Sequence, residues 1–347
     1  MATITPSVTT DVPVIDVYFF NYRDILTMPS KDRNPLTKAF FLILTFLSTG
    51  FTFMQAFNPF RKTSGISRKD IFQIFCGLAV LAIIFAAATI AIIALSAAIS
   101  EAIKLDLDHI PLAANYAKNA FAAILPILAA IGVSSTSLAS SVAVVSEKVV
   151  AMMNYMSAGH RKGAIVGPFE DLVCHVSGGD YKAIHILAYS FGSVVTLDTL
   201  FPKGGERTGR HFQAITSLVT IGCPFDVIRF YYPSYFAGRY PVIGASTRWL
   251  NVFSPADVLG SNFRDDEEDL PAEIHIGQAS SARKPENFSY VDAVSPDKFT
   301  FLTSFLLLGL RAHGMYWEKT PCSELSCFRL IIEALLRKAE PSVGCPD

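Results

Sequence analysis

Charge is scarce in this sequence of 347 residues. Charged residues make up only 17% of it and the mean hydropathy is +0.38, whereas an ordinary soluble domain carries about 25% charged residues. The formal net charge is −1, so no overall excess of one sign attracts a polyanion to the protein. We therefore expect no nucleic-acid partner.

Three long stretches contain no charged residue. They are residues 39–60, 71–100 and 119–146. A helix needs about 20 mostly apolar residues to cross a bilayer, and the second stretch is apolar on all sides without a proline. The sequence therefore predicts membrane-spanning helices at about 39–58 and 71–99, with the lipid bilayer as a partner.

The third uncharged stretch is less regular, because Pro126 interrupts its apolar run at residues 119–135. It is a third span, a re-entrant helix or an apolar cap on the domain that follows. From Glu147 onward the composition becomes that of a globular domain. The chain thus divides into an N-terminal segment at 1–35, an apolar helical region at 36–146 and a C-terminal domain at 147–347.

We expect no secretory signal peptide, and the cysteines show no close pairing. A signal peptide places its apolar core within about the first 15–30 residues, whereas residues 13–20, PVIDVYFF, have the pattern of a short buried strand. The six cysteines are scattered without the close spacing of a zinc site or redox motif. We expect the spans to remain in the protein, the C-terminal domain to be cytoplasmic, and neither cofactor nor metal to be bound.

The C-terminal domain alternates strand-like and helical runs. YKAIHILAY at 181–189, AITSLVTIG at 214–222 and RWLNVF at 248–253 each have a continuous apolar core, which is typical of parallel strands covered on both faces. Alternation with helices predicts an α/β fold with a mostly parallel sheet and helices on both faces. Residues 13–20 are a candidate for one further strand of this sheet.

One serine lies where a strand turns directly into a helix. The strand ending at Tyr189 is followed by Ser190 and then by a helical run that begins at Phe191. The small residues Ala188 and Gly192 lie two positions before and after the serine, as a sharp nucleophile turn requires. The start of a helix favours negative charge, so the backbone N–H of Phe191 is a candidate oxyanion donor.

A serine nucleophile needs a base that a carboxylate orients. Asp257 follows the strand at 248–253, and His313 lies in a loop near the C-terminus. In the fold class that uses such a nucleophile turn, these partners follow the serine in the order acid, then histidine. Asp226, which follows the strand at 214–222, is an alternative acid.

Together AYSFGS, TIGCPFD, WLNVFSPADVLGS and HGMYW resemble the α/β-hydrolase superfamily, particularly its lipase- and esterase-like members. The resemblance implies Ser190 as nucleophile, His313 as general base and Asp257 as the orienting acid. The sequence departs from the pattern by lacking an HG-type oxyanion loop, which leaves Asn21 and Tyr22 as candidates for the second donor.

The expected activity is that of a membrane-bound serine hydrolase that cleaves an apolar, lipid-like carboxylic ester through an acyl-Ser190 intermediate. The same fold also carries peptidases, thioesterases and acyltransferases, so fold alone does not choose the reaction. A catalytically silent, hydrolase-like membrane scaffold is a further alternative.

Overall fold

The computed structural model describes part of the chain. The described residues are 15–31, 151–152, 154–156, 159–204, 210–266, 268, 270–277, 282–290, 312–317 and 327–336. The predicted apolar region at 36–146 lies outside them. Within the described ranges, no helix has both the length and the apolar character needed to span a membrane.

Among the described residues, the domain has a four-stranded sheet in which every neighbouring pair of strands is parallel. Its strands, in both chain order and spatial order, are β1 (Ile184–Tyr189), β2 (Ile215–Ile221), β3 (Arg248–Phe253) and β4 (Glu286–Ser289). The predicted α/β class and parallel sheet are confirmed. β1, β2 and β3 match the predicted strands, whereas β4 has the polar sequence ENFS and was not predicted.

Residues 151–152 and 154–156 are helical, and among the described residues five further helices have defined ends. They are α1 (Tyr22–Lys31), α2 (Gly159–Ser177), α3 (Phe191–Leu200), α4 (Phe225–Tyr231) and α5 (Cys327–Leu336). Short 3₁₀ helices lie at Arg210–Ala214 and Met315–Trp317. The helix expected after Ser190 is α3, and it is buried along almost its whole length, as its apolar sequence requires.

Apolar side chains cover the sheet on both faces. On one face, Leu218 and Trp249 belong to a buried cluster with residues of α2 and α3. On the other face, Val219 and Leu250 belong to a cluster that includes Ile331 of α5. Burial on both faces explains why β2 and β3 have continuous apolar sequences instead of alternating ones.

Residues 15–21 have no regular secondary structure and pack on the domain without joining the four-stranded sheet. The Tyr18 hydroxyl lies 2.7 Å from the Tyr181 hydroxyl, and the ring of Phe20 lies 5.1 Å from that of Phe169. Within the strand-like pattern at 13–20, the described residues 15–20 therefore lie outside the sheet, and these contacts tie them to the C-terminal domain.

Candidate active site

Ser190 occupies a strained turn between β1 and α3. Its backbone angles are φ 55° and ψ −130°, a region that residues other than glycine rarely adopt. Such strain costs about 1–3 kcal/mol and persists only where the surroundings enforce it. Here the Ser190 N–H donates to the carbonyl of Ile221 at the end of β2, at 2.8 Å, which anchors the turn to the neighbouring strand.

The residues two positions before and after Ser190 both have close neighbours. A Cβ atom on Gly192 would lie 3.3 Å from the Tyr22 ring, which is a tight approach. On the other side of the turn, the carbonyl of Ala188 accepts a hydrogen bond from the Ser193 hydroxyl at 2.8 Å. The glycine at position 192 thus has a steric basis in the structure, whereas the contact at Ala188 is made by its backbone.

His313 lies between Ser190 and Asp257. Its Nε2 is 2.6 Å from Ser190 Oγ, and its Nδ1 is 2.9 Å from Asp257 Oδ2. Only 12% of the His313 side chain is exposed, and the Asp257 side chain is fully buried. The structure therefore brings together three side chains that were chosen from the sequence, in hydrogen-bonding order.

Asp257 is held by donors other than the imidazole. Its Oδ1 accepts the Leu259 N–H at 2.9 Å, and its Oδ2 accepts the Tyr316 hydroxyl at 2.8 Å. These hydrogen bonds satisfy a carboxylate that is shielded from water, where an unpaired charge would be costly. They also fix the oxygen that faces His313.

The alternative acid, Asp226, has different partners. Its Oδ2 accepts a hydrogen bond from the Ser261 hydroxyl, and its other oxygen lies 4.0 Å from the Arg229 guanidinium. The carboxylate in contact with His313 is that of Asp257.

Phe191, the candidate oxyanion residue, begins α3 directly after Ser190. Two aromatic contacts hold its ring: Tyr155 at 5.2 Å in an edge-on arrangement, and Tyr22 at 6.4 Å. Because the ring is fixed on two sides and is buried, the adjacent peptide N–H has a fixed position at the start of the helix.

The two candidates for a second oxyanion donor are placed differently. The Asn21 amide is exposed and donates to Asp24 at 2.8 Å, near the start of α1. Tyr22 packs against Gly192 beside the serine turn. Burial raises the pKa of the Tyr22 phenol, and a hydrogen bond from the Gly192 backbone partly opposes this, so Tyr22 keeps its proton at neutral pH.

Two tyrosines that the sequence analysis missed also contact the histidine loop. The Tyr189 ring stacks on the His313 imidazole at 5.4 Å with an interplanar angle of 20°, and its hydroxyl donates to the His313 carbonyl. Tyr316 donates to Asp257. The sequence signals were that Tyr189 is adjacent to Ser190 and that Tyr316 lies three residues after His313. Aromatic residues close to a motif are too common for these positions alone to predict a role in the site.

Gly222 is a third site residue that the sequence analysis missed. It follows β2 with a φ of +54°, and a Cβ atom there would lie 2.9 Å from the Tyr316 ring, 3.1 Å from Asp257 Oδ2 and 3.2 Å from His313 Cε1. Any side chain at this position would push against the acid and the base. The available signal was a glycine directly after a buried strand.

Comparison with protein-family models, with curated proteins and with solved structures finds no match to this chain. The site must therefore be interpreted from its own geometry.

Proposed function

We propose that this protein is a serine hydrolase. More particularly, we propose that it is membrane-bound and cleaves an apolar carboxylic ester through an acyl-Ser190 intermediate. The observation that carries the proposal is the hydrogen-bonded chain from Ser190 Oγ through the His313 imidazole to Asp257. A strained serine, a base within reach and a buried carboxylate behind that base are the parts of an activated nucleophile.

In the acylation step, Ser190 Oγ attacks the ester carbonyl carbon while His313 Nε2 takes the hydroxyl proton. Asp257 holds the imidazole in the tautomer with a proton on Nδ1 and stabilises the imidazolium that forms. The tetrahedral oxyanion accepts the Phe191 N–H at the start of α3, with the Tyr22 hydroxyl as the proposed second donor. The intermediate expels the alcohol, which leaves with the proton from His313 Nε2.

Deacylation repeats the same proton transfers with water. His313 Nε2 takes a proton from the water as its oxygen attacks the acyl carbon. The intermediate then releases the carboxylic acid, and Ser190 Oγ recovers its proton from the imidazolium. Each step therefore uses groups that the site already holds.

We infer that the sheet is that of an α/β hydrolase. Ser190 follows β1, Asp257 follows β3, and His313 lies between β4 and α5. This is the chain order of nucleophile, acid and histidine expected of that fold. Ser190 and Asp257 lie past the carboxyl ends of their strands, and His313 contacts both of them there. Open parallel sheets build their sites at this edge.

An apolar substrate is favoured by the surface beside the histidine. Trp317 is 45% exposed, and its ring packs edge-on against Tyr189 at 5.5 Å. Tyr189 in turn stacks on His313. This exposed aromatic surface next to the base can contact an acyl or alcohol group by apolar packing.

The test of the proposed function is active-site labelling of the full chain in isolated membranes. A fluorophosphonate probe should label the wild type, because its phosphorus is attacked by an activated serine. Ser190→Ala and His313→Ala should not be labelled, whereas the control Ser234→Ala, at an exposed turn, should be labelled fully. Folded wild-type protein that takes up no probe would refute the enzyme and leave the silent scaffold as the alternative.

We also propose membrane attachment through the uncharged stretches at 39–58 and 71–99. Support comes from the neighbouring segment at 15–21, in which Ile15, Val17 and Phe19 are 59%, 43% and 71% exposed. Exposed apolar side chains of this kind mark interaction surfaces.

The full chain should accordingly stay in the membrane pellet after extraction with alkaline carbonate, which releases peripheral proteins. Protease added to sealed vesicles of known orientation should reach the domain from the cytoplasmic side. Complete release by carbonate would refute the membrane spans, and cleavage only from the opposite side would refute the orientation.

A further inference from the structure

Two tyrosine hydroxyls contact the base and the acid from different directions. The Tyr316 hydroxyl donates to Asp257 Oδ2 at 2.8 Å, and the Tyr189 hydroxyl donates to the backbone carbonyl of His313. The first contact involves a charged group and the second does not. The two tyrosines therefore affect the site in different ways.

The hydrogen bonds of the Tyr316 hydroxyl have a defined direction. The Ser254 N–H donates to the Tyr316 oxygen at 2.9 Å, so the hydroxyl accepts one hydrogen bond and donates its own proton to Asp257. Burial, and then the Asp257 charge, raise the pKa of Tyr316 well above its ordinary value. The phenol therefore remains a donor throughout the pH range in which a histidine titrates.

Two glycines, Gly260 and Gly222, lie next to the Tyr316 side chain. A Cβ atom on Gly260 would lie 3.0 Å from the Tyr316 hydroxyl and 2.7 Å from Asp257 Oδ2, and one on Gly222 would lie 2.9 Å from the Tyr316 ring. Tyr316 itself is fully buried. Two glycines thus leave room for a hydroxyl that reaches the same carboxylate oxygen as the imidazole.

Asp257 Oδ2 is shared between two donors, His313 Nδ1 and the Tyr316 hydroxyl. A donor on a carboxylate stabilises its charge and lowers its attraction for other donors. The positive end of the hydroxyl dipole also points toward the oxygen that faces the imidazole. Both effects reduce the stabilisation that Asp257 gives to a protonated His313.

We propose that Tyr316 and Tyr189 are positioning residues of the proposed hydrolase site. Tyr316 holds the Asp257 carboxylate by a hydrogen bond and reduces the stabilisation that this carboxylate gives to a protonated His313. Tyr189 fixes the position of the imidazole through a hydrogen bond to the His313 backbone and through ring stacking. This inference rests on the proposed function. Among the described residues, the titratable groups in contact with the His313 ring are Asp257, Tyr189 and Tyr316.

The test is the pH profile of kcat/KM for a soluble p-nitrophenyl ester, measured on the full chain in detergent. Tyr316→Phe should move the acid limb upward by about 0.5–1 pH unit and lower kcat by about tenfold. The matched control Tyr189→Phe should lower kcat to a similar extent with the acid limb unmoved. A merely structural role for Tyr316 would reduce the amount of active protein without moving the limb.

A second variant guards against misfolding of Tyr316→Phe. Site-specific 3-fluorotyrosine at position 316 keeps the hydroxyl and makes it a stronger donor, so the acid limb should move downward. An acid limb that stays in place in both Tyr316 variants would overturn the proposal while wild-type hydrolysis upholds the proposed function. Absence of Ser190-dependent hydrolysis in the wild type would overturn both.

Discussion

Replacing Asp257 by Asn is expected to lower kcat by about 10⁴-fold. The Asn side chain matches the carboxylate in shape, but it carries no charge to stabilise the imidazolium. It also permits the tautomer in which His313 Nε2 carries the proton and can no longer accept one from Ser190. The rate of p-nitrophenyl ester hydrolysis by the full chain in detergent measures this loss.

Asp226→Asn is the matched control. Asp226 is also a buried carboxylate that follows a strand, but it accepts its hydrogen bond from Ser261. An Asn at position 226 still offers an oxygen to that hydroxyl, so kcat should fall by less than about tenfold. Equal losses in the two variants, with both proteins folded, would contradict the assignment of Asp257 as the orienting acid.

Asp198→Asn should destabilise the protein by about 3–5 kcal/mol. The Asp198 side chain is fully buried in α3, and its carboxylate lies 2.5 Å from Arg239, which is also fully buried, and 2.8 Å from Lys162. Tyr155 and Tyr235 donate hydrogen bonds to the same carboxylate. Removing the negative charge leaves a buried guanidinium with backbone carbonyls as acceptors but without its counter-charge, which is costly in a medium of low polarity.

Glu286→Gln is the control for Asp198→Asn, because it removes the negative charge from an exposed ion pair instead of a buried one. Glu286 pairs with Arg248 at 2.6 Å, but 55% and 36% of the two side chains are exposed, so the loss should stay below about 1 kcal/mol. Thermal unfolding followed by tryptophan fluorescence compares both variants with the wild type. A midpoint for Asp198→Asn that falls no further than that of Glu286→Gln would show that the buried cluster is not stabilising.

The parts of the fold that the sequence predicted are those fixed by local patterns. β1, β2 and β3 have apolar runs long enough to be recognised as buried strands, and the short turn into α3 is marked by small residues around Ser190. β4 pairs with β3 through its backbone and through the contacts of Glu286 with Arg248 and of Asn287 with Asn251, and its mostly polar sequence gives no apolar pattern. Its place in the sheet depends on the rest of the fold.

The same distinction applies to the site. Ser190, Asp257 and His313 could be chosen because each follows a recognisable element and because their order is constrained. Tyr316 and Gly222 could not, since their importance lies in contacts between residues far apart in the chain. A tyrosine becomes a donor to Asp257 only when two glycines leave space for it.

The separation of Ser190 and His313 by 123 positions has a consequence for biosynthesis. The strained turn of Ser190 is made from β1, α3 and a hydrogen bond to β2, all complete by Ile221. The base arrives only after many further residues have left the ribosome, and contacts of such long range form late in folding. On the proposed function, the nascent chain therefore carries an inert serine until the segment with His313 has packed against Ser190.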